Sequence, residues 1–454
     1  MKPIIYCGIT LLLLAGCDKF VDVPLPISQL STEATFADNE KAGSAIRGIY
    51  ASTQNGFGPG PFSGTLSGNA GLSADELIKI SYNADQEAFQ QNNLTPATSP
   101  VGGALWGAFY YYIYQANAAI ENLEKSKGVT ADKKVQFIGE AKFIRALSYF
   151  YLVNLYGPAP LATTSDYRVN ALLPRADTGK LWQLIEEDLR YAITNTGTDF
   201  TTKGARSRAS RYSSAALLAR VQLYRKNWAD AEALATDVIS SNLYTLDTLD
   251  GMFLTTSPEP IFYFSPAGTN NYTTEGSQVH NITSLPYRLS PYLLAAFEPG
   301  DQRRVKWVRE NADGKPSANK YKIFSGTGST RKEGTAVLRA AEQYLIRAEA
   351  RTQRDNLSGA IADLDVIRHR AGLPLIANTN PSISKTALLD TILHERFVEF
   401  FGEFGHRWMD VIRTGNTTKI FGVNKPGWEK DDVLYPVPAG ERELNPNLSQ
   451  NDGY

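Results

Sequence analysis

Cysteine is almost missing from this chain: there are two in 454 residues, alongside three methionines and four histidines. A disulfide framework needs an even, repeated set of cysteines, so none is expected. Charge of one sign is also missing. Lys and Arg number 46 against 47 Asp and Glu, for a net charge of −1. A nucleic-acid binder carries a basic excess, and this chain has none. Long apolar runs are absent beyond the first residues, so no mature segment is expected to cross a bilayer as a helix, which takes about 20 apolar residues. What remains is ample material for a core, with 43% hydrophobic residues, and a generous aromatic content of 11% that includes 23 tyrosines. A chain of this size folds as one large domain or two. Tyrosine joins a flat apolar body to a polar tip, which suits contact with polar ligands.

The amino terminus has Lys2, a short apolar run from Ile4 to Leu14, and then Leu14-Ala15-Gly16-Cys17. The run is too short to span a membrane and has the layout of a signal peptide. Small residues before a cysteine resemble the bacterial lipobox. That resemblance makes residues 1–16 a lipoprotein signal peptide and Cys17 the first mature residue, carrying acyl chains. Cys7 leaves with the peptide, so Cys17 has no disulfide partner. Residues 17–30, with Pro24 and Pro26, read as a tether between the lipid and a single domain over 31–454.

Periodicity predicts a mainly α fold. An early helix runs from Ala34 to Ser52, and the Gly-, Pro- and Ser-rich stretch from Gln54 to Ala70 reads as a loop. Trp106, Phe109, Tyr110, Ile113, Asn117 and Ile120 mark one helical face, which places Trp106 in the core. A second helix spans about Ala131 to Tyr156 and stops at Gly157-Pro158, a glycine cap followed by a residue that cannot continue. Two later hairpins share one plan, the first turning at Lys226-Asn227-Trp228 and the second after Arg354. Ala231 and Ala360 sit where paired helices must come close. Units of this kind resemble tetratricopeptide repeats. Helical repeats are therefore expected over about 105–240 and 335–415. Between them, a polar and irregular insertion over about 241–334 is expected to carry the ligand-binding part.

The stretch HERFVEFFGEFGHRWMDVIRTG, His394 to Gly415, holds two of the four histidines. It opens like the zinc motif H-E-x-x-H, but the second ligand position is Val398, so the motif fails. Phe397, Phe400, Phe401, Phe404, Trp408, Val411 and Ile412 recur at helical steps, which implies a buried amphipathic helix with Trp408 inside. Glu395, Glu399 and Glu403 step along another face, and Gly402 and Gly405 threaten to break the helix in two.

Several stretches together resemble the SusD/RagB nutrient-binding outer-membrane lipoproteins. They are WGAFYYYIYQAN from Trp106, GEAKFIRALSYFYLVNLYGPAPL from Gly139, SRYSSAALLARVQLYRKNWADA from Ser210 and YLIRAEA from Tyr344. Gly300-Asp301-Gln302-Arg303, the His394 block and the ending from Tyr435 to Tyr454 follow in the family's order. One departure is Phe404 before Gly405, where the family pattern sets its acid and glycine closer together. The resemblance implies a tetratricopeptide-like helical-repeat scaffold and a surface lipoprotein seated as a lid on a TonB-dependent transporter barrel. Such a protein captures oligosaccharides, or less often peptides, and hands them on. It implies no catalytic residue and no cofactor, though oxygen-rich loops could accommodate a calcium ion. The acids and arginines of residues 395–413 then fix helix packing as buried pairs.

Two clusters are candidates for ligand contact. The first is Tyr82, Phe89, Gln90, Asn92 and Asn93. The second, in the insertion, is Tyr272, Tyr287, Arg288, Tyr292, Trp307 and Tyr321. The rival from another class is a secreted glycosidase, which needs two carboxylates about 5–10 Å apart in a cleft. The acids at Asp75-Glu76 and Glu186-Glu187-Asp188 are read instead as solvated helix faces or caps.

Overall fold

The computed structural model describes residues 32–55, 60–198, 206–279, 287–311, 314–328 and 331–454. Cys17 and the 17–30 tether lie outside the described residues. The rest is mostly helical, in agreement with the sequence reading.

The centre is the Ala131–Tyr156 helix, in which almost every residue from Phe137 onward is buried. It ends at Gly157 with φ 70°, as the Gly-Pro signal predicts. The Ala108–Lys125 and Thr178–Asn195 helices pack against it, and Arg211–Tyr224 joins Thr178–Asn195. Trp228–Ser240 folds back on Arg211–Tyr224, and Leu357–Arg370 folds back on Ala340–Gln353. The two hairpins are one repeat in detail. Lys226 and Asp355 both take positive φ, at 61° and 63°. In each turn the N–H of the middle residue bonds three residues back, at 3.1 Å in both. The following Asn N–H reaches five residues back, at 2.9 Å and 2.8 Å. Ala231 and Ala360 are fully buried at the close approaches.

Distance in sequence does not separate these units. Trp228–Ser240 packs directly on Ala340–Gln353, so the array continues across the insertion as if it were absent. The insertion leaves after Ser240 and is closed at its base by an antiparallel ladder. In that ladder the strand Pro260–Phe264 pairs with Thr335–Arg339, and every residue is buried.

Two expectations are corrected. The Gly-rich stretch is not simply a loop, because Thr65–Ser73 forms a helix that is buried almost throughout. Its glycines are spaces rather than hinges. A Cβ on Gly68 would lie 2.5 Å from the Tyr287 hydroxyl, and one on Gly71 would lie 2.7 Å from Leu77. Three of the five carboxylates read as solvated are internal: Asp75, Glu76 and Asp188 are buried, while Glu186 is half-buried and Glu187 is exposed. Asp188 holds Arg145 at 2.7 Å and Lys142 at 2.7 Å. Asp75 holds Arg407 at 2.7 Å.

The break near residue 402 is as expected. Lys385–Phe400 ends, Gly402, Phe404 and Gly405 take φ of 67°, 45° and 70°, and His406–Arg413 begins. Phe404 is held there by its N–H bond to the Ser67 hydroxyl at 2.7 Å and by its buried ring. Trp408 is fully buried and stacks on Phe421 with centroids 5.1 Å apart. Trp408→Ala is expected to destabilise the fold by about 3–5 kcal/mol through the cavity it leaves. Equilibrium denaturation checks this, and an unchanged midpoint would mean the indole is not a packing element.

Candidate functional site

The acid- and arginine-rich block around Glu395 is a buried ion network. Arg339 reaches Glu259 at 2.6 Å, Glu403 at 2.9 Å and Glu399 at 3.1 Å. Arg370 adds a second cation to Glu259 at 2.8 Å and also pairs with Glu399. Arg303 bridges Asp301 and Glu395, and Arg368 joins Glu395 to Glu298. Lys320 donates to Glu403 and to the Glu399 carbonyl, both at 2.7 Å. Burial alone would push the Glu399 carboxyl up. Arg370, Arg339 and Arg303 outweigh it and hold the group at about 2. The paired, buried arrangement anticipated from the sequence is what forms. These charges are spent on one another, so the network serves to fasten elements together.

A short ladder links the two regions that hold the expected ligand clusters. Leu77–Lys79 pairs antiparallel with Tyr287–Leu289, with Lys79 opposite Tyr287 and Ile78 opposite Arg288. This short ladder is anchored from behind. Tyr287 is buried against Gly68, and the Ser290 N–H bonds the Glu76 carbonyl at 2.8 Å. From the ladder the chain turns through Tyr82 into the Ala84–Gln91 helix. Asn83 caps that helix by accepting the Gln86 N–H at 2.9 Å. Tyr82 is left 84% exposed on this fixed base. The Lys79 ammonium lies 5.8 Å from its ring centroid and pairs with Glu87 at 2.6 Å. Asn93 is exposed beyond the helix end, and Arg288 is half-buried on the facing strand. Tyr272 is half-buried in a loop tied by the Asn271 N–H to the Gly326 carbonyl at 3.0 Å.

Most of the other expected contacts are corrected, because they belong to the interior. Phe89 is buried edge-on to Tyr435, with centroids 5.5 Å apart. Gln90 accepts the Lys79 N–H at 2.7 Å. Asn92 is buried with φ 54° and ties the helix end to the Ser73 carbonyl at 3.2 Å. Tyr287 is the inner wall described above. Trp307 is fully buried, its indole N–H donating to the Leu249 carbonyl at 2.7 Å and its face covered by Lys320 at 4.8 Å. Tyr321 is buried in a stack on Phe253 at 4.3 Å. The insertion's largest rings turn inward and join the main core, Trp307 packing on Phe401 and Phe264 on Phe62. Tyr292 is 43% exposed but lines a separate cleft of about 440 Å³ with Asp390, His394 and Lys419. Lys79 and Glu87, which flank Tyr82, were absent from the expected set. The short β-favouring run Leu77-Ile78-Lys79-Ile80, with one charge among apolar residues, was the available signal of a half-exposed strand.

Known proteins agree with this architecture. A profile described as the SusD family matches residues 306–454, and one described as starch-binding and associating with the outer membrane matches residues 29–223. The chain belongs to the SusD family. A SusD-like protein of Formosa agariphila, P38, is 26% identical, the match covering 98% of this chain and 97% of that one. Among solved structures, a SusD superfamily protein from Bacteroides vulgatus superposes with a TM-score of 0.79 at 19% identity, over 92% of this chain and all of that one. A laminarin-binding SusD-like protein superposes with a TM-score of 0.73 at 24% identity, with the same coverage.

Behind the ladder sits a buried acid. Glu275 lies beside Ser67, and burial pushes its carboxyl up to about 8, with the Ser67 hydroxyl opposing. In the unfolded chain the same carboxyl ionises near 4.5. The folded state therefore keeps a proton that the unfolded state loses. The stability this group supplies is full below about 4.5 and falls away as pH rises toward about 8. Glu275→Gln is expected to make the loss of stability across that window shallower. Denaturation midpoints read at several pH values test it, and an unaltered slope would remove Glu275 from the account.

Proposed function

We propose that this SusD-family protein is a cell-surface glycan-binding subunit of an outer-membrane importer, tethered by lipid at Cys17. It captures oligosaccharides and delivers them to a TonB-dependent transporter barrel. The observation that carries the reading is Tyr82, a ring presented almost wholly to solvent on a short ladder packed from behind. Sugars present apolar C–H faces that stack on such a ring, while their hydroxyls need flanking polar groups. Lys79, 5.8 Å from the Tyr82 ring, and its partner Glu87 supply such groups beside it. The starch-binding description of the matching profile and the laminarin-binding relative by fold support the same class of ligand. Two of the acids weighed for hydrolysis are engaged elsewhere. Asp75 and Asp188 are committed to Arg407 and Arg145 inside the protein rather than facing one another across an open cleft. Capture by stacking and hydrogen bonding requires no cofactor.

Binding to glycan is expected in the micromolar to millimolar range, since each tenfold is about 1.4 kcal/mol and a carrier must also release. Tyr82→Ala is expected to weaken the best glycan of a panel by roughly tenfold, the order of a stacking hot spot. Trp307→Ala is expected to lower thermal stability instead, with affinity per folded molecule retained. Isothermal titration and a melting curve separate the two. Equal affinity of the Tyr82 variant and the parent would misplace the site, and binding of peptides but no glycan would replace the ligand class. Cys17→Ala is expected to shift the protein from the membrane to the soluble fraction when the barrel is absent, and persistent membrane fractionation would count against the anchor.

A further inference from the structure

A second cleft of about 510 Å³ lies away from Tyr82, in the range of roughly 300–1,000 Å³ usual for small-ligand sites. One wall is the Ala108–Lys125 helix, where Tyr110, Ile113, Tyr114 and Asn117 fall on a single face. The second wall is the segment from Pro160 to Ala171, and the third is the carboxyl-terminal helix Ala439–Leu444. These walls are locked before any ligand arrives. Asn117 donates to the Ala162 and Thr164 carbonyls at 3.0 Å and 3.1 Å and accepts from Arg145 at 2.7 Å. Tyr110 donates to the Pro160 carbonyl at 2.8 Å. Glu121 holds the Thr164 hydroxyl at 2.6 Å and the Ser165 N–H at 2.8 Å. From the other side, Asn445 and Asn447 grip the Leu173 and Leu172 carbonyls, both at 2.8 Å.

What is left unspent in this frame is informative. Tyr114 and Tyr167 stand at the mouth, 53% and 76% exposed. The Asn170 Oδ1 is buried with no hydrogen-bond partner, while its Nδ2 is committed to the Thr164 carbonyl at 2.7 Å. Glu441 adds a carboxyl that accepts the Trp106 indole N–H. The cleft thus offers tyrosine faces and oxygen acceptors. A buried acceptor left unpaired costs free energy, which a ligand hydroxyl would recover. None of the lining residues is Lys, Arg or His, and the one charged group among them is acidic. Apolar ring faces joined to outward hydroxyl donors match this set, and an anionic sugar would meet a carboxylate with no cation to offset it.

We propose that the cleft formed by Tyr114, Tyr167, Asn170 and Glu441 is a second carbohydrate site that takes one or two neutral pyranose units. It rests on the glycan-binding reading but uses none of the residues around Tyr82. Two weak sites on one body raise the hold on a polymer through effective concentration while leaving each contact easy to release.

The test is titration of the Cys17→Ser chain with cellohexaose, laminarihexaose, maltohexaose and mannohexaose, and with hexagalacturonate as the anionic probe. In a Tyr82→Ala background at least one neutral hexasaccharide should still bind. Adding Tyr114→Ala and Tyr167→Ala should weaken that residual binding roughly five-fold or more. The melting temperature should hold, since both rings are exposed. Hexagalacturonate should not bind the Tyr82→Ala variant. If Tyr82→Ala alone abolishes binding of every hexasaccharide that the parent binds, this site does not exist and the glycan reading stands. Residual binding that ignores loss of both tyrosines also overturns it, as does hexagalacturonate binding that depends on them. A parent that binds no neutral hexasaccharide sinks both readings.

Discussion

Arg339 is the residue on which the assembly turns. It is the last residue of the strand that leaves the insertion, and the next residue begins a repeat helix. Its guanidinium joins Glu259, from just before the partner strand, to Glu399 and Glu403 at the end of the Lys385–Phe400 helix. Around it, Arg303 and Lys320 bring in two further parts of the insertion, and Arg370 brings in the end of a repeat helix. Six stretches distant in sequence thus meet at one polar centre. Such a centre adds little net stability over a well-packed apolar core of the same volume, because each ion first loses its hydration. Its effect is on specificity. Removing one member leaves others buried without a partner, at about 3–5 kcal/mol, so alternative docking of the insertion is strongly disfavoured.

That centre also explains the placement of the candidate surface. The Tyr82 ladder is not part of the repeats. It rests on the Thr65–Ser73 helix, which itself touches the His406–Arg413 helix. Ser67 binds the backbone of Phe404, and Asp75 binds Arg407. The exposed ring therefore inherits its position from the break at residues 402–405, which is held in turn by the Glu403 pairs. A rigid base matters for stacking, since a ring that must first be ordered loses part of its contact energy to entropy.

Long, strongly patterned elements were legible in the sequence. The Ala131–Tyr156 helix could be read to its last residue because its apolar face is continuous and its end carries a Gly-Pro signal. The repeat turns, the broken helix at Gly402 and the burial of Trp408 were legible for the same local reasons. The Thr65–Ser73 helix was not, because its glycines suggest a loop unless one knows that Tyr287 and Leu77 arrive from elsewhere to fill the space. The site was half legible. The sequence pointed to one strand of the ladder, through Tyr287 and Arg288, and to Tyr82 just beyond the other, but could not say which rings face out. Tyr82 and Trp307 look alike as aromatics in polar surroundings, and only long-range packing makes one a surface and the other a core. Membership of the candidate cleft at Tyr114 and Tyr167 was invisible for a similar reason, since its third wall comes from the far end of the chain.

The direct contact between Trp228–Ser240 and Ala340–Gln353 has a consequence for how such proteins diversify. The scaffold closes on itself at that junction, and the Pro260–Phe264 and Thr335–Arg339 strands bring the two ends of the inserted segment back together. Lengthening the segment beyond this neck adds only about 0.6 kcal/mol of closure entropy per doubling. Sequence can be exchanged there at positions other than Glu259, Arg303, Trp307 and Lys320, which tie the segment to the helices. The junction acts as a cassette slot, where new recognition surfaces can be tried while the helices that carry them stay unchanged.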